Sequence, residues 1–159
     1  MSDNPNEAPD TAGVVAPPPL IYAGALVIGL LAKALYPVPF LPRTLARALG
    51  GPLIGSGVLL LLSGLRAMHR AGTDASPYRS TTSLVVDGPY RFTRNPLYLG
   101  FTLVYGGITA LANSLPSALL LPLVLLVMRR GVIEREELYL QRVFGEEYVQ
   151  YKTRVRRWI

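Results

Sequence analysis

An arginine and an asparagine stand where this chain turns from polar to apolar. The run Gly88-Pro89-Tyr90-Arg91-Phe92-Thr93-Arg94-Asn95-Pro96-Leu97-Tyr98-Leu99-Gly100 follows a stretch dense in Thr, Ser and Arg, and Leu97 opens an apolar run to Ala112. Asn95 followed by Pro96 predicts a helix N-cap with proline at the first helical position. Such a helix start offers unpaired N–H groups and positive dipole charge to an anionic group. Residue types alone also admit a plainer reading, a helix cap beside an interfacial arginine anchor.

A second cluster lies farther on. Ile133, Glu137, Leu140, Phe144, Tyr148, Tyr151, Val155 and Trp158 recur at spacings of three and four, which puts them on one helical face. Glu137 falls inside that apolar stripe, flanked by Glu134 and Glu136. A carboxylate on the buried face of a helix leaving a membrane needs a partner. Arg94 is the natural one, because both residues belong to the same polar–apolar boundary. Glu134 is expected instead to pair along its own helix with Arg130, Arg135 or Arg142. Gly145 is expected to break or bend the helix. Tyr148, Tyr151 and Trp158 suit either an interfacial belt or, for the tyrosines, a wall over a ligand.

The elements that must position these residues are apolar helices. Half of the 159 residues are hydrophobic and the mean hydropathy is positive. Four apolar stretches run over Leu20–Tyr36, Leu49–Leu65, Leu97–Ala112 and Leu115–Met128. A bilayer span takes roughly 17–25 such residues, so the two later stretches need a few flanking residues each. The predicted fold is all-α and polytopic, with about four transmembrane helices and a C-terminal cytoplasmic helix. Residues 1–19 read as a disordered polar tail, 20–68 as the first two spans, 69–95 as a cytoplasmic loop, and 96–159 as a helical hairpin with the C-terminal helix. The tail holds no Lys or Arg, so the first span reads as retained and not as a cleaved signal.

There is no Cys and one His, which excludes disulfides, thiolate catalysis and a Cys- or His-based metal site. The net charge is +6, and thirteen of the sixteen basic residues lie from Arg66 onward. They flank the last two apolar stretches, while the link Asn113–Ser117 between those stretches is uncharged. By the positive-inside rule both the 66–95 segment and the C-terminus are cytoplasmic. Arg43 and Arg47 then fall on the outer side, against the rule. Nucleic acid is a poor partner for charge placed beside spans, where it anchors to anionic lipid.

The residues Gly88 to Arg91 and Arg94 to Gly100 together resemble the signature of the isoprenylcysteine carboxyl methyltransferase family, part of a wider group that includes phospholipid N-methyltransferases. A second block resembles that family's C-terminal signature: Glu136-Glu137, Leu140, Phe144-Gly145, Tyr148, Tyr151 and Val155 to Trp158. Gly72-Thr73, Pro77 and Leu84 resemble its lead-in. The resemblance covers Arg70 to Ile159. It implies methyl transfer from S-adenosylmethionine to a lipophilic acceptor, without metal, in a bacterial inner membrane with the active site facing the cytoplasm. It implies that Tyr90, Arg94, Asn95, Pro96, Tyr98, Glu136 and Glu137 line the cofactor pocket, with Arg94 and Glu137 catalytic. The family often has His where Asn95 stands; Asn cannot take a proton at neutral pH, which excludes a base there.

A carboxylate acceptor, as in isoprenylcysteine methyl esterification, is already ionised and suits orientation by Arg94. An amine acceptor, as in phospholipid N-methylation, would recruit Glu137 as base. Glycines in the second and third spans, Gly51, Gly55, Gly57, Gly64, Gly100, Gly106 and Gly107, suit close packing or a lipid groove. Outside this family, the spans alone would also serve a non-enzymatic scaffold or transporter subunit. A sterol-reductase-like enzyme would need more spans than this chain holds.

Overall fold

The computed structural model describes residues 11–74, 78 and 80–158. All of its elements are helical: α1 (Pro18–Leu35), α2 (Arg43–Arg70), α3 (Pro96–Ala112), α4 (Leu115–Met128), α5 (Glu134–Phe144) and α6 (Glu146–Arg154). A short 3-10 turn covers Gly88–Arg91, and a π turn over Arg129–Ile133 joins α4 to α5 without a break. Three helices are long and apolar enough to cross a membrane, Pro18–Leu35, Arg43–Arg70 and Leu115–Phe144; the apolar α3 is shorter. Large side chains such as Leu31, Leu59 and Leu119 face outward, each more than three-fifths exposed. Leucines in that arrangement need an apolar solvent. The chain is an all-α protein of polytopic membrane type.

Helix ends follow local chemistry. Pro18 and Pro96 occupy the first turns of α1 and α3, where a missing N–H costs nothing. Asn113 ends α3 in the left-handed conformation, at φ 48°. Ser114 caps α4 by accepting from Ser117 N at 3.3 Å. Gly145, at φ 53°, separates α5 from α6, the break its position in the sequence predicts. The second apolar element is longer than its hydropathy suggests. It starts at Arg43, and its 28 residues give a rod of about 42 Å.

Within the bundle α2 packs on α3 and α1 on α4. The first seam is built from glycines seven residues apart: Gly50, Gly57 and Gly64 on α2 against Gly100 and Gly107 on α3. A Cβ at Gly57 would lie 2.8 Å from Gly100 O, and one at Gly107 would lie 2.8 Å from Gly50 O. The backbones therefore touch. Gly51, Gly55 and Gly106 face open space and take no part. On the other seam Gly29 admits Ser117, and Tyr105 donates to Ser117 O at 2.8 Å. Tyr22, Tyr105, Val124, Met128 and Val132 form the core between α1, α3 and α4.

Residues 11–19 differ from a free tail. Val14 is buried, Val15 N donates to Gly131 O at 3.1 Å, and α1 has already begun at Pro18. The segment docks on the π turn because Gly131 has no side chain in the way; its position meets Val15. Residues 1–10 of the expected tail lie outside the described residues. Residues 80–95 fold back on the bundle, Ser83 Oγ donating to Ala71 O at 2.6 Å and Thr82 Oγ1 to Gly72 O at 2.9 Å.

The seam makes a direct prediction. Gly57→Val and Gly107→Val should each destabilise the protein by about 1–3 kcal/mol or more, the cost of overpacking a closed contact. Gly106→Val should be near neutral. Thermal melting of the three variants in detergent reads the difference, and equal melting of all three would remove the seam.

Candidate active site

At one end of the bundle the C-terminus of α2, the start of α3, α5, α6 and the folded-back segment enclose a cavity. Tyr90, Arg94, Asn95, Pro96, Tyr98, Glu136 and Glu137 all line it. Seven residues from two separate stretches of sequence thus share one space. Tyr148, Tyr151 and Tyr139 line it as well, and Thr73, Thr81 and Leu84 come from the segment above. Pro77 of the lead-in lies outside the described residues.

Arg94 and Glu137 meet, as their common boundary predicts. Arg94 Nη1 lies 3.2 Å from Glu137 Oε1, with both side chains about nine-tenths buried. A third partner was not legible in the sequence. Arg157 brings Nη2 to 2.7 Å from Glu137 Oε2 and donates from Nε to Oε1 at 3.0 Å. This fork is bidentate, the strong form of the pair, and the hydrogen bond raises the Arg157 pKa above its ordinary value. Glu134 pairs with Arg129 at 3.0 Å and Arg157 at 3.6 Å, not with Arg130, Arg135 or Arg142. The π turn inserts an extra residue into the winding, which brings Arg129 under Glu134. Arg135 reaches back instead to Gly13 O at 2.7 Å.

Asn95 stands at the N-cap position of α3, but its side chain makes no cap bond. Its Nδ2 donates to Arg157 O at 2.9 Å. Thr93 Oγ1 donates to the same carbonyl at 3.1 Å, and Arg94 N donates to Arg156 O at 3.0 Å. The C-terminal strand of residues is thereby stapled along the entrance to α3. Arg157 closes the loop by turning its guanidinium back to Glu137. The residue signal for this was the basic Arg156-Arg157 pair set against the acidic start of α5, a charge match between distant segments that fixes no geometry by itself.

Glu136 has a different environment. Its Oε1 accepts from the Tyr98 hydroxyl at 2.6 Å. Tyr151 donates to Tyr90 O at 2.7 Å, and the Tyr148 and Tyr151 rings lie 6.1 Å apart. Burial holds the Tyr90 and Tyr151 phenols well above the ordinary phenol range; Tyr151 and Glu136 add to it at Tyr90, while at Tyr151 Tyr148 adds and Arg94 opposes. Burial, and then Glu137, push Tyr148 up to about 12. The cavity is therefore a tyrosine-lined chamber whose walls also carry the buried Arg94 guanidinium and the Glu136 carboxyl group. Arg94 Nε is buried and has no hydrogen-bond partner among the described residues, and its Nη1 meets Glu137 by charge and not by an aligned hydrogen bond. Unmet donors of this kind suit an anionic ligand group. No group of His, Cys, Asp and Glu among the described residues could hold a metal ion.

Comparison with known proteins adds context to this geometry. Residues 45–147 match the family model described as phospholipid methyltransferase. The protein-S-isoprenylcysteine O-methyltransferase of Schizosaccharomyces pombe is 38% identical over 106 residues, covering 62% of this chain and 45% of that protein. Methanethiol S-methyltransferase 1 of Bradyrhizobium diazoefficiens is 36% identical over 87 residues, covering 55% and 28%. An uncharacterized protein of Haemophilus influenzae is 51% identical over 35 residues, covering 22% and 56%. The chain spans less than half the length of the first two relatives. No solved structure matches.

Two measurements follow from the buried charges. Glu137→Gln leaves Arg94 without its counter-charge and should cost about 3–5 kcal/mol. Glu134→Gln, on a more exposed pair, should cost under about 1 kcal/mol. Denaturation of both variants gives the ratio, and equal losses would deny Glu137 its central place. Alkaline titration followed by phenolate absorbance gives the second. Tyr148 stays protonated in the folded protein above the unfolded value of 10.0. Its stabilising contribution is complete below about pH 10 and is lost as pH rises towards about 12. Ionisation of every phenol near the ordinary value, with the fold intact, would contradict it.

Proposed function

This chain belongs to the phospholipid methyltransferase family, and on that footing we propose that it moves a methyl group from S-adenosylmethionine to a lipophilic acceptor at the membrane surface. The observation that carries the reading is the placement of Arg94. A buried guanidinium with unmet donors sits on the wall of a tyrosine-lined cavity that Glu136 also lines, at the end of an apolar helical bundle. When bound, S-adenosylmethionine supplies an electrophilic methyl on a sulfonium. Its other charged ends, an ammonium and a carboxylate, need partners of opposite sign.

The residues divide that work. Glu137 already faces two guanidiniums, so the role of receiving an ammonium passes to Glu136, whose polar partner is the Tyr98 hydroxyl. The Tyr90, Tyr98, Tyr148 and Tyr151 rings offer aromatic surface to a cation and exclude water. Arg94 orients the acceptor's carboxylate through Nε, a donor unpartnered among the described residues, and the start of α3 at Pro96 receives the donor's own carboxylate. Glu137 and Arg157 hold Arg94 in place, and so act as positioning residues. Displacement at a sulfonium methyl depends on alignment more than on acid or base strength.

We assign the acceptor as a carboxylate, as in isoprenylcysteine methyl esterification. It is ionised at neutral pH and matches the cation at Arg94 without a base. An amine or thiol acceptor, the chemistry of phospholipid N-methylation or of the Bradyrhizobium relative's name, would have to yield a proton. Glu136 is then the group within the cavity to take it. The excess of Arg and Lys at this end of the molecule supports a cytoplasmic active site, and the family resemblance alone supports a bacterial inner membrane.

Calorimetry in nanodiscs, with metal chelated, should show binding of S-adenosylmethionine or its demethylated product. No heat at millimolar ligand, from folded protein, would overturn the proposal. Arg94→Ala should lower transfer of labelled methyl to a prenylated carboxylate about 100-fold or more, and Glu136→Ala should weaken donor binding first. Near-normal turnover by Arg94→Ala would dismiss its orienting role.

A further inference from the structure

The opposite end of the bundle carries a second cavity, of about 340 Å³, between the end of α1, the start of α2 and the α3–α4 turn. Lys33, Arg43 and Arg47 line it, with Pro37, Leu111 and Asn113 among the others. Three cations facing one recess repel one another unless an anion joins them. The described residues around it supply none: from residue 11 to residue 73, and from 88 to 133, the sequence has no Asp or Glu. No ion pair to Lys33, Arg43 or Arg47 is formed among the described residues.

The recess is held rigid. Asn113 Oδ1 accepts from Phe40 N and Leu41 N, each at 2.9 Å, and its Nδ2 donates to Leu41 O at 2.7 Å. This pins the 37–42 loop to the α3–α4 turn. The Lys33 ammonium is anchored on Ala112 O, the carbonyl end of α3. Arg43 and Arg47 are exposed at their heads and one helical turn apart, so two guanidinium forks and one ammonium share one opening. Planar forks match tetrahedral oxyanions. The opening itself is partly apolar, lined by Pro37, Pro39 and Leu111, and Leu111 is 48% exposed.

We propose that this recess binds the phosphate of an anionic lipid, with the headgroup on Lys33, Arg43 and Arg47 and the acyl chains leaving past Leu111. It lies at the membrane face opposite the tyrosine-lined cavity. The placement gives Arg43 and Arg47 a reason to remain on a side that the positive-inside rule leaves poor in cations. Inorganic phosphate shares the chemistry; the exposed Leu111 at the opening favours a lipid source.

The test uses the full chain extracted from membranes containing phosphatidylglycerol and phosphatidylcholine, with retained lipid measured by native mass spectrometry. The wild type should keep phosphatidylglycerol in preference to phosphatidylcholine. Each cation removed should weaken that retention by roughly fivefold, so Arg43→Gln/Arg47→Gln should lose most of it. Both side chains are exposed, so melting should barely change; should the pair fail to fold, Arg47→Gln alone carries the measurement. Arg66→Gln/Arg70→Gln, a matched loss of charge at the other end, should retain lipid as the wild type does. Equal losses in the two double variants would reduce the effect to overall charge and overturn the site. Displacement of the lipid by millimolar inorganic phosphate would overturn the lipid source.

Discussion

The buried carboxylate of Glu137, held between Arg94 and Arg157, is the contact on which this end of the molecule depends. Each of these charges is expensive to remove from water without a partner. Together they tie three segments that are far apart in sequence: the entrance to α3, the first turn of α5, and the residues after α6. The backbone completes the tie. Carbonyls of residues 156 and 157 accept from Arg94 N, Thr93 and Asn95, so the C-terminal residues are held by main chain on one side and by charge on the other. Arg94 is left with donors to spare because Arg157 meets most of what Glu137 demands.

That contact can form only because the bundle below it is closely built. The glycine seam brings α2 and α3 together until their backbones touch, and in a membrane such packing takes the place of a hydrophobic driving force. The end of α2 then lies beside the start of α3, and the segment between them must fold back over the cavity. The π turn serves the other wall. It lets one continuous helix leave the apolar phase and still present Glu136 and Glu137 to the cavity; π turns recur at functional sites for this kind of re-aiming. Gly131 within it also admits Val15, which seals the chain's early residues onto the core.

The two ends of the bundle differ in electrostatic character. At the tyrosine-lined end, acids and bases are interleaved and largely paired. At the other, three cations share a recess with no acidic residue near them in the chain. Hydropathy treats both ends alike, as the margins of the same spans. Their chemistry diverges because one margin is built from long polar segments able to fold inward, and the other from tight turns pinned by Asn113.

Much of the fold was legible in the sequence, and for local reasons. Hydropathy marks the apolar helices because a run of that length has no other stable solvent. Asn95-Pro96 marks the start of α3, and Gly145 the break after α5, because both positions restrict backbone angles within a residue or two. The pairing of Arg94 with Glu137 could be read as well, since two costly charges at one boundary have few other partners. What the sequence left open depended on helix rotation and register. Gly50 and Gly51 are neighbours, yet only Gly50 meets α3, because a step of about 100° separates them. The partners of Glu134, the third charge from Arg157, the turn of the Asn95 side chain towards the C-terminus, and the docking of Val14 and Val15 all join distant segments. Their residue types permit such contacts but do not select them. Only the tertiary structure decided them, because one inserted residue in the π turn and one close seam of glycines set which side chains come within a few ångströms.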